Sequence, residues 1–291
     1  MKAFASRTIS SVRALTDYLS RHGGEWVYRG QSENWPLAGS LERLLGDWKA
    51  NLAQAPRVER QTILEFRRRY RFDNQVLVRS DLLYCLSVMQ HYGLPTRLLE
   101  CSHSPFVAAK FAIDFGGGRG AIWCVNTRWC KESAATILGK QRVQARIARA
   151  TRDDRSFVDI YMGNRERKFV LPEKPADLHE RLIVQQGTYL CPGNIKASFV
   201  RNVTAMPGWE KDTNVVKLRL RLSKAELQIL QRRLDRMSVT SAELFPGLDG
   251  IVRSVKERLR KDDARRRAAQ PPRRRKIRMS RRRTRSRKRR G

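Results

Sequence analysis

The sequence has no long apolar run and little that resembles a targeting signal. None of its 291 residues belong to a stretch of 18 consecutive apolar residues, which is the length that a membrane-spanning helix requires. The segment from Met1 to Arg13 lacks the apolar core of a secretory signal. Because 41% of the chain is hydrophobic, it can still bury a substantial core. We therefore expect a globular cytoplasmic protein with no membrane partner.

Metal-binding and phosphate-loop patterns are also missing. The five cysteines are odd in number and none forms a Cys-x-x-Cys pair, so we predict reduced thiols. The four histidines share no ligand spacing, and no metal site is predicted. Glycines 116 to 120 lack the spacing and the lysine of a phosphate loop, and the chain has no serine elbow. These absences argue against the commonest nucleotide hydrolases and serine hydrolases.

Positive charge, in contrast, is abundant. The formal net charge is +33, and residues 264 to 291 contain sixteen Lys or Arg and no acid. Such a segment binds polyanions through counterion release, so non-specific nucleic acid is one predicted partner. A solvated, disordered tail without a selected partner is the alternative. The arginines assigned to this nucleic-acid tail are Arg273, Arg274, Arg275, Arg281, Arg282 and Arg283.

Periodicity and capping signals predict helices mixed with strands. The predicted helices cover residues 10–21, 57–72, 81–92, 104–115, 142–151 and 250–261, and capping boxes begin two more at Ser223 and Thr240. The predicted strands cover residues 25–29, 121–126 and 215–222, and residues 182–190 form two short strands or one bent at Gly187. The order is too irregular for a doubly wound fold. We predict an α+β single domain with a small mixed or antiparallel sheet flanked by helices.

Composition divides the chain into three parts. We predict an N-terminal helix in residues 1–22, a domain in residues 23–262 and a disordered arginine-rich tail in residues 263–291. Residues 130–180 are polar, basic and poorly periodic, and are interpreted as an insertion in the domain.

The segment from Gln90 to Glu100 is the strongest candidate for a site, because its polar residues follow no helical or strand period. We predict that a helix ends at His91 and Tyr92 and that a Gly-Pro turn then brings Arg97 and Glu100 beside them. His91 can transfer a proton, Tyr92 can stack and Arg97 can bind an anion. Glu100 acts either as a base or charge stabiliser, or as the buried counter-ion of Arg97.

Two further segments carry candidate ligand-binding residues. Arg29, at the end of a strand, can bind a phosphate or carboxylate in a bidentate fork, with Gly30 admitting the ligand and Gln31 adding an amide. The alternative is a surface arginine paired with Glu33. Gln186 can bind the polar edge of a ligand, or belong to a strand bulge.

These segments carry a family resemblance. Five blocks occur in the order of the FRG domain, a family named for its Phe/Tyr-Arg-Gly motif, and the chain resembles that family over residues 20 to 260. The family has Asp and then Trp where this chain has Glu100 and Cys101. The blocks are residues 26–32, 90–100, 104–112, 185–189 and 244–250.

The order of these blocks is also similar to the layout of ADP-ribosyltransferases. This second similarity implies a function. It implies that Arg29 binds the pyrophosphate of NAD, that Tyr92 stacks on nicotinamide and that Glu100 stabilises the ribosyl cation, with His91 as a second catalytic residue. Gln186 stands where those enzymes have their glutamate, so either Glu100 takes that role or the site only binds. The first hypothesis is thus an FRG-domain protein that binds an anion or nucleotide, such as a prokaryotic or phage effector using NAD. A non-enzymatic module that binds nucleic acid or ribonucleoprotein through the tail is the alternative.

Overall fold

A computed structural model describes residues 3–114, 117–148, 154–163 and 166–269. The described residues contain one seven-stranded sheet with the strand order β1-β7-β4-β2-β3-β6-β5. The pair β1 and β7 is parallel, and every other neighbouring pair is antiparallel. The strands are β1 (Ala5–Ile9), β2 (Trp26–Gln31), β3 (Leu99–Ser102), β4 (Ala121–Asn126), β5 (Val170–Glu173), β6 (Gly187–Pro192) and β7 (Val215–Leu220).

Helices flank this sheet, and the predicted α+β fold with a mixed sheet is confirmed. A short 3-10 helix, Leu52–Gln54, precedes the third α-helix. The described α-helices are α1 (Val12–Leu19), α2 (Ser40–Asp47), α3 (Ala55–Arg69), α4 (Gln75–Ser80), α5 (Leu82–His91), α6 (Pro105–Ile113), α7 (Thr127–Leu138), α8 (Lys140–Ala148), α9 (Asp154–Tyr161), α10 (Glu180–Val184), α11 (Phe199–Thr204), α12 (Lys224–Arg236), α13 (Ser241–Leu244) and α14 (Leu248–Ala269).

Helix starts follow the capping residues in the sequence. Ser104 accepts a hydrogen bond from the backbone of Val107, and Pro105 occupies the first turn of α6, as predicted. Ser223 likewise caps α12. Glu226, however, does not close the capping box onto Ser223. Its carboxylate accepts instead from the backbone N–H of Val12 at 2.7 Å, which ties α12 to the first turn of α1.

The core lies on both faces of the sheet, and β4 separates its two halves. Trp123 and Val125 belong to the larger hydrophobic cluster, while Ile122 and Cys124 belong to the second. β4 pairs with β2 on one side and β7 on the other. This placement explains why β4 is the most apolar strand in the sequence and confirms that it is central.

Described residues of the segment 130–180, which was interpreted from the sequence as an insertion, pack in this core. Phe157, Phe169 and Leu171 are each 1% exposed and pack within the larger cluster. Arg146 forms a buried ion pair with Glu173 at 2.6 Å, and the Tyr161 hydroxyl donates to the same carboxylate at 2.7 Å. The polar residues that made this segment look peripheral therefore include a satisfied buried network, which sequence periodicity does not reveal.

Three other boundaries differ from the sequence predictions. β1 precedes α1, so residues 1–22 are not a helix alone. Residues 182–190 contain the end of α10 followed by β6, and α14 extends to Ala269, beyond residue 262. The arginines assigned to a nucleic-acid tail, from Arg273 to Arg283, lie outside the described residues. So do residues 149–151, the last part of the helix predicted over residues 142–151. No described helix combines the length and the apolar character needed to cross a membrane.

Candidate functional site

A cleft of about 210 Å³ opens where β2 and β3 meet α6 and α10. Its walls come from four parts of the chain that are far apart in sequence. Two of the lining residues, Arg29 and Glu100, were predicted as site residues. The lining residues are Tyr28, Arg29, Gly30, Glu100, Cys101, Ser102, Ala108, Phe111, Arg181 and Gln185.

Gly30 sets the distance between β2 and α6. A Cβ atom at this position would lie 1.8 Å from the carbonyl oxygen of Ala108, so only glycine fits. The small residues of α6, Ala108, Ala109 and Ala112, are buried in the core on this face. The glycine of the Tyr-Arg-Gly motif therefore admits a helix backbone, rather than the ligand that the sequence suggested.

Arg29 bridges a gap between two strands. β2 and β3 share one residue pair, Tyr28 with Ser102, whereas β2 pairs with β4 over six residues. Beyond that pair, Arg29 Nη1 donates to the backbone oxygen of Glu100 at 2.8 Å. Arg29 thus contacts Glu100 rather than the Glu33 considered from the sequence. Its Nε atom is buried and has no partner among the described residues.

Glu100 faces Arg181, which the sequence did not single out. Arg181 Nη2 lies 3.8 Å from Glu100 Oε2, and the two side chains are 20% and 23% exposed. The Arg181 guanidinium also lies over the ring of Phe245, 4.8 Å from its centroid. Arg181 is therefore held between a carboxylate and an aromatic ring, with its charge directed at the cleft.

Gln185 closes the floor of the cleft by two hydrogen bonds. Its Nε2 donates to the backbone oxygen of Leu244 at 2.8 Å, and its own backbone oxygen accepts from the Ser102 hydroxyl at 2.7 Å. Leu244 and Phe245 belong to the last of the five sequence blocks. All five blocks thus contribute to this cleft or contact a residue that lines it.

Two histidines stand beside Arg181. The rings of His91, at the end of α5, and His179 have centroids 4.6 Å apart. Burial, and then the charge of Arg181, lowers the pKa of His91, while Glu100 opposes that shift. Burial and the neighbouring His91 lower the pKa of His179 to about 4. Both imidazoles are therefore neutral at pH 7, and His179 Nδ1 accepts a hydrogen bond from the backbone N–H of Leu182 at 3.2 Å.

Unsatisfied nitrogen atoms concentrate in this region. Six buried side-chain nitrogens of the described residues have no hydrogen-bond partner, and four of them are Arg29 Nε, Arg181 Nε, His91 Nδ1 and His179 Nε2. Buried polar atoms of folded proteins are nearly always bonded, so a cluster of free ones needs an explanation. Among the described residues, no group of three or more His, Cys, Asp or Glu is arranged to hold a metal ion. An anionic or hydrogen-bonding ligand is the chemistry that these nitrogens favour.

The family comparison covers only part of the chain that builds the cleft. The sequence model of the FRG domain family matches residues 24–115. The chain contains an FRG domain. The matched span carries the Tyr-Arg-Gly motif, Glu100 and α6. No curated protein and no solved structure matches the chain.

Four predicted site residues lie away from this cleft or serve its structure. Arg97 is buried against Glu59 and donates to the Tyr161 backbone oxygen at 2.8 Å, so its guanidinium is fully used. The counter-ion of Arg97 is therefore Glu59, and Glu100 pairs with Arg181 instead.

Gln31 is committed to the fold as well. Its carbonyl oxygen accepts from Trp123 Nε1 at 3.1 Å, and its amide donates to Pro36. Tyr92 is 70% exposed on the far side of His91. Gln186 is exposed and adopts a left-handed backbone, with φ of 47°, at the turn into β6. Its neighbour Gln185 takes the place in the cleft that the sequence assigned to Gln186.

No sequence signal was strong enough to identify three residues of the cleft and its surroundings: His179, Arg181 and Phe245. Arg181 follows the polar segment that was interpreted as an insertion, and Phe245 lies in the last of the five blocks, to which no site residue was assigned. Gln185 and Gln186 are chemically identical, so only the direction of the backbone at β6 distinguishes them. A search for cations adjacent to the Gln-Gln-Gly block would have included Arg181.

Proposed function

We propose that the cleft of the FRG domain binds the phosphate-bearing part of a nucleotide, with NAD as the candidate. The observation that carries the proposal is that the Arg29 and Arg181 side chains both line this cleft, and that Nε of each has no partner among the described residues. Guanidinium groups bind phosphate oxygens in bidentate geometry, and a buried nitrogen without a partner gains most from such a ligand.

The size of the cleft limits which part of the ligand enters. A volume of about 210 Å³ is below the 300–1,000 Å³ of usual small-molecule sites. One nucleotide half therefore fits between α6 and the sheet, and the rest of a dinucleotide lies along the surface. The flat rings of Phe111 and Tyr28 line the inner wall, where a base or nicotinamide ring would pack.

For NAD, the arrangement supports transfer of ADP-ribose. The bond between the ribose C1′ and the nicotinamide nitrogen breaks, and its electron pair leaves with the nicotinamide. The Glu100 carboxylate stabilises the ribosyl cation that remains. A nucleophile of the acceptor, or water, then forms the new bond to C1′ and loses a proton, which neutral His91 accepts.

Isothermal titration with NAD, ADP-ribose and AMP, combined with detection of released nicotinamide, tests this proposal. Arg181→Ala removes charge-assisted hydrogen bonds of about 1.5–3 kcal/mol, so affinity should fall roughly ten- to hundredfold. Arg253→Ala is the matched control, because the Arg253 guanidinium also lies over the Phe245 ring, 4.0 Å from its centroid, but does not line the cleft. Glu100→Gln should retain binding and lose nicotinamide release.

Two results would sink the proposal. One is the absence of binding to all three ligands in folded protein, and the other is equal binding by wild type and Arg181→Ala. Binding without nicotinamide release in the wild type would reject the transfer reaction and retain the ligand site.

A second candidate function is supported by charge alone. Sixteen cations without an acid in residues 264–291 favour non-specific binding of nucleic acid. Affinity for duplex DNA should then fall steeply with salt. Binding that persists after removal of residues 264–291 would show that the tail is not its source.

A further inference from the structure

A second basic surface lies on the folded body, away from the cleft. Phe66-Arg67-Arg68-Arg69-Tyr70-Arg71-Phe72 alternates aromatic and basic residues across the end of α3. Between residues 66 and 79 the chain has five arginines and one acid, Asp73, which gives 5 − 1 = +4. Residues 66–79 together with Tyr92 are called the arginine–aromatic surface below.

The aromatic rings of this surface form a continuous row. Ring centroids are 5.1 Å apart between Phe66 and Tyr70, and again 5.1 Å apart between Tyr70 and Phe72. Tyr92 caps the C-terminus of α5, the helix that both α3 and α4 contact. Phe72 and Tyr92 are each 70% exposed, so both rings face solvent.

The arginines divide into those that hold the surface together and those that display charge. Arg67 Nε donates to the Val78 backbone oxygen at 2.9 Å, which joins α3 to α4. Arg68 and Arg69 are each 81% exposed and share a single carboxylate, Glu65. Arg71 and Arg79 are exposed as well. The solvent-facing side therefore combines more guanidinium groups than carboxylates with exposed aromatic rings.

We propose that the arginine–aromatic surface binds single-stranded nucleic acid. Exposed arginines contact successive phosphates, and unpaired bases stack on Phe72 and Tyr92, which is the combination that single-strand binding surfaces use. A duplex hides its base faces, so it leaves these rings without partners. The tail cannot supply this contact, because residues 264–291 contain no aromatic residue.

Phe72 allows this surface to be tested apart from the cleft. Tyr92 is less suitable, because it packs edge-on against His91, with ring centroids 4.7 Å apart. Phe72 lines no part of the cleft. A variant at Phe72 therefore tests the surface without changing the binding of NAD.

The test uses the full chain and two fluorescent oligonucleotides, so that the tail is present in every measurement. One is oligothymidylate of about 15 nucleotides, near the upper site size of a single binding fold. The other has the same length and phosphate charge but abasic sugars throughout. Tail binding, which depends on charge, should be the same for both. We expect wild type to bind oligothymidylate about tenfold more tightly than the abasic strand, because one stacked base contributes roughly five- to hundredfold in affinity.

Phe72→Ala should abolish most of that difference and leave abasic binding unchanged. Phe72→Leu keeps an apolar side chain but removes the ring, and should behave like Phe72→Ala. Trp48→Ala is the matched control, since Trp48 is a 60% exposed aromatic residue outside the surface. Circular dichroism establishes that each variant is folded.

Equal affinity of wild type for the two oligonucleotides would overturn the proposal, as would a preference that both Phe72 variants retain. Vesicles of anionic phospholipid provide the remaining comparison. Tight vesicle binding that is lost in Phe72→Ala but kept in Arg68→Ala, without a preference for oligothymidylate, would identify the surface as a lipid contact instead.

Discussion

Replacing Glu59 by glutamine should destabilise the protein severely, because it leaves the Arg97 charge buried without a counter-ion. Glu59 is 0% exposed and the Arg97 side chain is 3% exposed. The Glu59 carboxylate accepts from Arg97 Nε at 2.9 and 3.0 Å and from the Arg97 backbone N–H at 3.3 Å. Glutamine keeps the shape but not the charge.

The expected loss is about 3–5 kcal/mol in the free energy of unfolding, which is typical when one partner of a buried ion pair is removed. A domain has only about 5–15 kcal/mol in total, so the midpoint of urea unfolding should shift far down. Tryptophan fluorescence can follow the transition. The matched control is Asp212→Asn, which breaks the ion pair with Arg7, whose side chains are 50% and 44% exposed. That control should cost under about 1 kcal/mol.

A double replacement separates architecture from ligand binding at Arg97. Glu59→Leu combined with Arg97→Met removes both charges, and should recover most of the stability that Glu59→Gln loses. If Arg97 only supports the fold, the double variant also keeps the ligand affinity of the cleft. The reasoning is refuted if Glu59→Gln costs no more than Asp212→Asn, or if a folded double variant loses all ligand binding.

Three other substitutions or conditions test further features. Gly30→Ala should destabilise the protein by about 3 kcal/mol or more, because the added Cβ would overlap the Ala108 carbonyl. Gly46 lies in α2 with nothing within 4 Å of the position that an added Cβ would take, so Gly46→Ala should stabilise the protein by roughly 0.5–1 kcal/mol in the same unfolding assay. His179 is neutral when folded, with its pKa lowered to about 4, so the unfolded chain binds more protons below pH 6.5. Stability should be complete above pH 6.5 and lower by about 2 kcal/mol at pH 5, and His179→Asn should flatten that slope. The five cysteines are buried, so a thiol reagent should label none of them until the protein unfolds, and labelling of the native state would contradict this.

The sequence predicted the elements whose signals are local. Ser104-Pro105 marked the start of α6, and the apolar run of residues 121–126 marked the central strand, because capping and periodicity act within a few residues. The packing of the described part of residues 130–180 could not be predicted, for the opposite reason. The contacts that make them part of the core, such as Arg146 with Glu173, join residues that are distant in sequence.

The candidate site shows the same limit. Residue type identified Arg29 and Glu100, but it could not show that Arg97 already had a buried carboxylate partner in α3. Neither could it distinguish Gln185 from Gln186, because their roles depend on the left-handed turn at Gln186. The partner of Glu100 came from α10, 81 positions away, through a contact that no local pattern encodes.

The sparse pairing between β2 and β3 decides what the recognised FRG segment can do by itself. Residues 24–115 include these two strands, which share one residue pair, while their other neighbours, β4 and β6, come later in the chain. Arg181, Gln185 and Phe245 are also absent from that segment. We therefore expect residues 24–115, although they are a recognisable sequence unit, not to fold by themselves. A fragment intended to keep both the sheet and the cleft must continue beyond Glu257, whose carboxylate pairs with the buried Lys110 of α6 at 2.9 Å.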